Sequence, residues 1–197
     1  MKRKTIAIAC GVLVAALLAA FWMKRHDPSP IQNLATTPNP VPSQDARLVE
    51  LFGGEEGLKT VAYPTKVEAY RLKPDPQKQP REYAVTVGPV PLSKDLATKV
   101  SRDLVTSSSY WWEMGKPCKP RYGLRLSFHR GQDQVDVFLC YECMELLVAR
   151  NGKMTSGLGQ AKSFDFMNGR LVLAAKTLFP DDPEIQKLQP IDYELPE

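Results

Sequence analysis

The sequence predicts an α+β domain, an antiparallel β-sheet with helices packed on it, preceded by an N-terminal transmembrane helix. Three observations carry this. An uncharged apolar run lies near the N-terminus, two alternating strands flank Gly131-Gln132, and amphipathic helical stretches stand on either side of those strands. Strands flanked by helices in this order give an antiparallel sheet with helices packed on it.

The apolar run spans Thr5 to Met23, 19 residues between "MKRK" and "KRH". A bilayer core takes about 20 apolar residues as a helix, whereas the apolar part of a cleaved signal is usually about 7–15. Phe21 and Trp22 suit an interfacial belt, and the excess of Lys and Arg before the run places the N-terminus in the cytoplasm. Residues 1–26 are thus expected to anchor the chain, with its bulk outside the cytoplasm, in a periplasm or at the cell surface. The alternative is a secretory signal cleaved after Leu18-Ala19-Ala20, which releases the same domain. Cys10 follows the basic cluster too closely for a lipid-attachment site and reads as a small apolar residue of the span.

Residues 27–43 contain five prolines and almost no charge, the composition of an extended spacer. Residues 44–197 form the expected extracytoplasmic domain. The chain has 26 basic and 22 acidic residues, and five basic residues against Asp27 lie in the first 27 positions. From Pro28 onward, 21 basic residues balance 21 acidic ones. A neutral domain lacks the clustered Lys and Arg on which nucleic-acid binding depends, so no nucleic-acid partner is expected. The expected partners are the membrane and an envelope protein.

Within the domain, "SQDARLVELF" reads as a short helix capped by Ser43 and stopped by Gly53-Gly54. "TKVEAYRL" and "REYAVTV" read as strands around the loop "KPDPQKQP". "PLSKDLATKVSRDLVTSSSY" is a helix with Ser93 as cap and Leu96, Val100 and Leu104 on one side. The strands "YGLRLSFHR" and "DQVDVFLCY" follow, and a type II′ turn at Gly131-Gln132 wants Gly first. That turn pairs Arg130 with Asp133, hence Phe128 with Val135, Leu126 with Val137 and Leu124 with Leu139. All three later pairs are apolar, so turn chemistry and core pattern select one register. "ELLVAR" with "NGKM" predicts a further hairpin through a type I′ Asn-Gly turn. "NGRLVLAAKTLF" reads as a helix burying Leu171, Val172, Ala175, Leu178 and Phe179. "PDDPEIQKL" restarts a helix with Asp182 as cap and Pro183 at its first position.

The candidate chemistry lies in "FLCYECMELL" and "KPCKPRYG". Extended past Leu124, the register brings Cys140 opposite Gly123, Cys143 opposite Pro120 and Cys118 near Glu145. Cys118, Cys140 and Cys143 therefore converge, while His129 goes to the far end of the hairpin. Zinc wants four tetrahedral ligands. Three cysteines are at hand, His129 is out of reach, His26 is at the membrane edge, and Glu113, Glu142 or Glu145 would have to complete the set. A structural disulfide from Cys118 to Cys140 or Cys143 suits the compartment. Thiol exchange through Cys140 and Cys143, resolved by Cys118, is the redox alternative. It lacks the helix N-terminus that usually lowers the thiolate pKa, and Glu142 and Glu145 oppose it.

Tyr110, Trp111 and Trp112 form a candidate binding surface, or else plug the core as aromatics do. Ser107, Ser108 and Ser109 read as the exit from the helix before them. Gly157 and Gly159 lack the strand–helix context of a phosphate loop. No serine has a base nearby and no carboxylate pair stands out, so no catalytic residues are assigned.

The stretch from Tyr110 to Cys143 resembles a group of bacterial proteins in which an aromatic residue precedes Cys-x-Pro, then Gly, then Leu/Ile-Cys-Phe/Tyr-x-Cys. The matching positions are Tyr110, Cys118, Pro120, Gly123, Cys140, Tyr141 and Cys143. Tyr122 stands where many members carry histidine. The resemblance implies no activity. The expected function is thus a membrane-tethered, envelope-facing binding or structural domain stapled by a Cys118 disulfide, without a cofactor. The alternative is a thiol-redox or zinc protein centred on Cys118, Cys140 and Cys143.

Overall fold

The computed structural model describes residues 45–113, 115–155, 161–191 and 193. The expected anchor, the proline-rich spacer, Ser43, Gly157 and Gly159 lie outside them. Among the described residues no helix is long and apolar enough to cross a membrane.

Helix α1 (Ala46–Leu51) starts two residues later than the Ser43 cap implies. Its cap is Asp45, whose carboxylate accepts from the Arg47 amide at 2.9 Å. The charged acceptor also pairs with the Arg47 guanidinium, an advantage no serine hydroxyl offers. Helix α2 (Glu55–Ala62) was not expected, because Gly53-Gly54 reads as a stop and Gly57 interrupts the pattern. Gly57 is needed there: a Cβ at that position would overlap the Phe52 carbonyl, so the close turn between α1 and α2 admits only hydrogen.

Strand β1 (Lys66–Lys73) pairs antiparallel with β2 (Ala84–Pro91). The strand expected over residues 81–87 is shifted, since Pro80–Glu82 forms a 3-10 turn and the pairing runs on to Pro91. Strand β2 is the edge of the sheet and is exposed along almost its whole length. Helix α3 (Lys94–Leu104) begins at Ser93, whose hydroxyl accepts from the Leu96 amide, and buries Val100 and Leu104.

Strands β3 (Leu124–Arg130) and β4 (Asp133–Cys140) adopt the register read from the turn, with Phe128 opposite Val135, Leu126 opposite Val137 and Leu124 opposite Leu139. Gly131 has φ +60°, as the first position of a type II′ turn requires. Strand β5 (Glu145–Arg150) turns into β6 (Lys153–Met154) through Asn151 and Gly152, at φ +49° and +75°, a type I′ pair. Strand β7 (Lys162–Ser163) pairs with β5. Helices α4 (Asn168–Leu178) and α5 (Pro183–Lys187) complete the described fold, with Asp182 accepting from the amides of Glu184 and Ile185.

The sheet runs β2-β1-β3-β4-β5-β6, every pair antiparallel, with β7 on β5. The fold is α+β. Because side chains alternate across a strand, Val67, Ala69, Leu124, Leu126, Phe128, Val135, Val137 and Leu139 share one face. They pack with α1, α2, α3 and α4 in the main core. The other face divides along its length. Toward the Gly131 turn it carries buried Glu68, Ser127 and Asp136; toward Cys140 it carries a small apolar cluster with Leu72, Phe138 and Leu147.

Candidate functional site

Antiparallel pairing decides which segments meet. Arg71 lies opposite Leu124, Leu124 opposite Leu139, and Cys140 opposite Glu145. The chain therefore leaves β1, enters β3, leaves β4 and enters β5 at the same end of the sheet, here termed the mouth. Two lysine- and proline-bearing segments, 73–80 and 116–122, are delivered there side by side.

The structure brings the three predicted cysteines together and distinguishes their roles. Cys118 and Cys143, 25 residues apart in sequence, have Cα atoms 5.9 Å apart and sulfurs at bonding distance, the geometry of a disulfide pair. Cys140 is unpaired and buried. Its sulfur accepts from the Arg121 amide at 3.2 Å. Burial pushes the Cys140 thiol up and the charge of Glu142 adds to this; the amides of Cys143, Arg121 and Glu142 work the other way without cancelling it. Such a thiol is a poor nucleophile at neutral pH. Among the described residues no group of three or more His, Cys, Asp or Glu is arranged to hold a metal ion.

A second tie lies beside the sulfur pair. Lys116 Nζ donates to the Cys143 carbonyl at 2.9 Å and to Asp165 at 2.8 Å, and both charged side chains are largely buried. Ser163 also donates to Asp165. This ion pair holds segment 116–118 against the β4–β5 connection through side chains that no sequence periodicity marks.

The three aromatics after α3 do not act as one surface. Tyr110 is core, 3% exposed, with its hydroxyl donating to the Leu104 carbonyl at 2.7 Å. Trp112 is half-buried, its ring 4.8 Å from that of Tyr110 and its Nε1 donating to the Ser107 carbonyl. Only Trp111 is exposed, stacked on Phe166 at 5.9 Å between ring centres. Ser107–Ser109 is a 3-10 turn. His129 lies opposite Lys66 and Gln134 at the turn end, with its Nε2 3.3 Å from Glu68.

Residues that sequence reasoning left aside form a cleft at the mouth. Its apolar walls are Pro74, Pro76, Pro80 and Tyr83 from the β1–β2 connection, and Pro120 and Tyr122 from the approach to β3. The cleft encloses about 580 Å³, within the usual range for small-molecule sites. Lys78, Lys119 and Arg121 also line it, and no carboxylate does. Lys78 stands 3.5 Å from Asp75 and Arg121 3.7 Å from Glu142, loose pairs at the surface. Among the described residues Lys119 makes no ion pair.

Tyr122 is 3% exposed, yet its hydroxyl has no hydrogen-bond partner among the described residues. Burial raises its pKa well above the ordinary phenol value, reinforced by Glu145, Cys140 and Tyr83 nearby. An unpaired buried hydroxyl costs about 1–3 kcal/mol. The signal in the sequence was compositional: "KPDPQKQP" and "KPCKPRY" share prolines and lysines, and β1–β3 pairing places them together.

A larger hollow of about 710 Å³ lies around Arg71 and α5. Its charges neutralise one another, since Arg71 pairs with Asp182 at 2.8 Å and with Glu184, and donates to the Gly123 carbonyl. The cleft, by contrast, holds one cation, Lys119, with no ionic partner among the described residues. No protein-family model, curated protein or solved structure matches the chain.

Proposed function

We propose that the chain is a membrane-tethered, envelope-facing binding domain whose mouth is stapled by a Cys118–Cys143 disulfide and whose binding site is the proline–tyrosine cleft. The observation that carries this reading is the cleft itself: rigid apolar walls and three cations without a carboxylate among its lining residues. The apolar run from Thr5 to Met23 and the proline-rich spacer support the tether, and an oxidising compartment suits the sulfur pair.

Thiol counting by mass spectrometry, with and without reductant, together with metal analysis of the purified chain, tests the staple. One bond between Cys118 and Cys143, one thiol at Cys140 that is alkylated only after denaturation, and no bound metal are the expected results. A stoichiometric zinc with Cys118, Cys140 and Cys143 all reduced would replace this reading with the metal-binding one. Rapid alkylation of Cys140 in the native chain would favour thiol exchange instead.

A further inference from the structure

We infer that the cleft takes a small amphipathic anion, an apolar body of aromatic or short acyl type carrying one carboxylate; this rests on the cleft being a binding site. Four prolines and two tyrosines supply walls with little conformational freedom to lose, so ordering on binding is cheap. Proline presents no backbone donor, which leaves those walls apolar. The recognition chemistry therefore divides cleanly, with an apolar body against Pro74, Pro120 and the tyrosine rings, and a charged group at the cations.

Charge sets the sign of that group. Lys119 lacks an ionic partner among the described residues, while Lys78 and Arg121 have partners at 3.5 and 3.7 Å, Asp75 partly exposed and Glu142 largely so. Exposed pairs of this kind contribute little, so a ligand carboxylate displaces Asp75 or Glu142 at small cost. A cationic ligand would meet three like charges. A polyanion is disfavoured too, because the chain from Pro28 onward carries 21 charges of each sign and projects no extended positive field. The cleft's volume of about 580 Å³ suits one small molecule.

The probes are 2-naphthoate, its neutral isostere 2-naphthamide, and octanoate, titrated into the full-length 15N-labelled chain held in a non-ionic amphipol. The readout is the amide shifts of Tyr83, Lys119, Arg121 and Tyr122. Naphthoate is expected to bind about tenfold more tightly than naphthamide, the factor one charge-assisted contact supplies. The preference should shrink with added salt and largely vanish in Lys119→Ala/Arg121→Ala, whose exposed side chains leave the fold intact. Octanoate binding level with naphthoate, or more weakly, assigns an acyl or an aromatic body, and either supports the anion class. Equal affinity for naphthoate and naphthamide overturns the anion class while the cleft stands as a site. No shift at the cleft amides with any probe overturns both.

Discussion

The two ends of the sheet are held by different means. At the turn end, main-chain geometry does most of the work. Gly131 and the Asn151-Gly152 pair fix the hairpins, and Asp133 gathers Thr60 at 2.7 Å, Arg150 at 2.9 Å and Asn151 at 2.7 Å into one polar knot. Arg150 also donates to the Gly53 carbonyl, tying α1 and α2 to the sheet. At the mouth, regular pairing stops and side chains take over: the Cys118–Cys143 pair, Lys116 with Asp165, and Arg71 with Asp182 and Glu184. The end built from backbone register has a smaller hollow, about 420 Å³ between residues 62–67 and α3. The end built from side chains leaves a gap of about 580 Å³ between two proline segments.

The strongest way to separate the ends is to remove the sulfur pair. Cys118→Ser/Cys143→Ser is expected to lower stability by about 3.5 kcal/mol, from the chain-entropy cost of a loop of that length. Urea denaturation gives the magnitude. Native-state hydrogen exchange should show faster exchange in segments 116–123 and 141–145 with the Gly131 turn unchanged. Uniform acceleration would mean that the two ends form one cooperative unit.

Next in size, Asp133→Ala should cost about 2 kcal/mol, since it removes charge-assisted hydrogen bonds and strands partners at the turn end. Its exchange pattern should be the mirror image, with protection lost around Gly131 and Asn151 and kept at the mouth.

Acid titration probes both ends together. Burial raises the Asp133 carboxyl, but bonds from Thr60, Arg150 and Asn151 outweigh it and leave the pKa lowered. Burial likewise raises Asp182, and the amide of Ile185 and the guanidinium of Arg71 bring it below the ordinary value. A carboxylate depressed in the fold contributes stability that is fully present above its unfolded pKa, about 3.9, and is lost as pH falls below that toward the folded value. Stability should therefore decline below about pH 4. Asp133→Asn should flatten that decline, and Tm measured against pH is the check.

Gly131→Ala is a smaller perturbation. Nothing stands within 4 Å of the added Cβ, so its cost is the backbone strain at φ +60° alone, about 1 kcal/mol, read from the urea midpoint. Smallest of all, Lys119→Ala should alter stability by no more than about 0.5 kcal/mol, as expected of an exposed side chain away from the core. A larger loss would give Lys119 a structural role and weaken its assignment to a ligand.

The same division explains what the sequence discloses. The turn end was readable because each signal is local: Gly131 demands φ > 0, Asn151-Gly152 names its own turn, and the apolar pairs Leu124–Leu139 to Phe128–Val135 permit one register. Ser93 and Asp182 cap as expected for the same reason. Helix α2 was missed because Gly57, which normally argues against a helix, is there to let the chain pass Phe52. At the mouth, convergence of the cysteines followed from register, but the choice of Cys143 over Cys140 did not. It depends on the path of the four-residue connection 141–144, where Met144 sits at φ +52°. The cleft was harder still, since its two walls lie about forty residues apart in sequence and have no period of their own.

Lys116 has a further consequence. It stands two residues before Cys118 and grips the carbonyl of Cys143, the residue whose sulfur Cys118 meets. If the bond is reduced, this grip keeps the two thiols as close neighbours, at an effective concentration far above that of any external thiol. The ion pair thus holds the two segments in register by a contact that thiol reductants do not cleave.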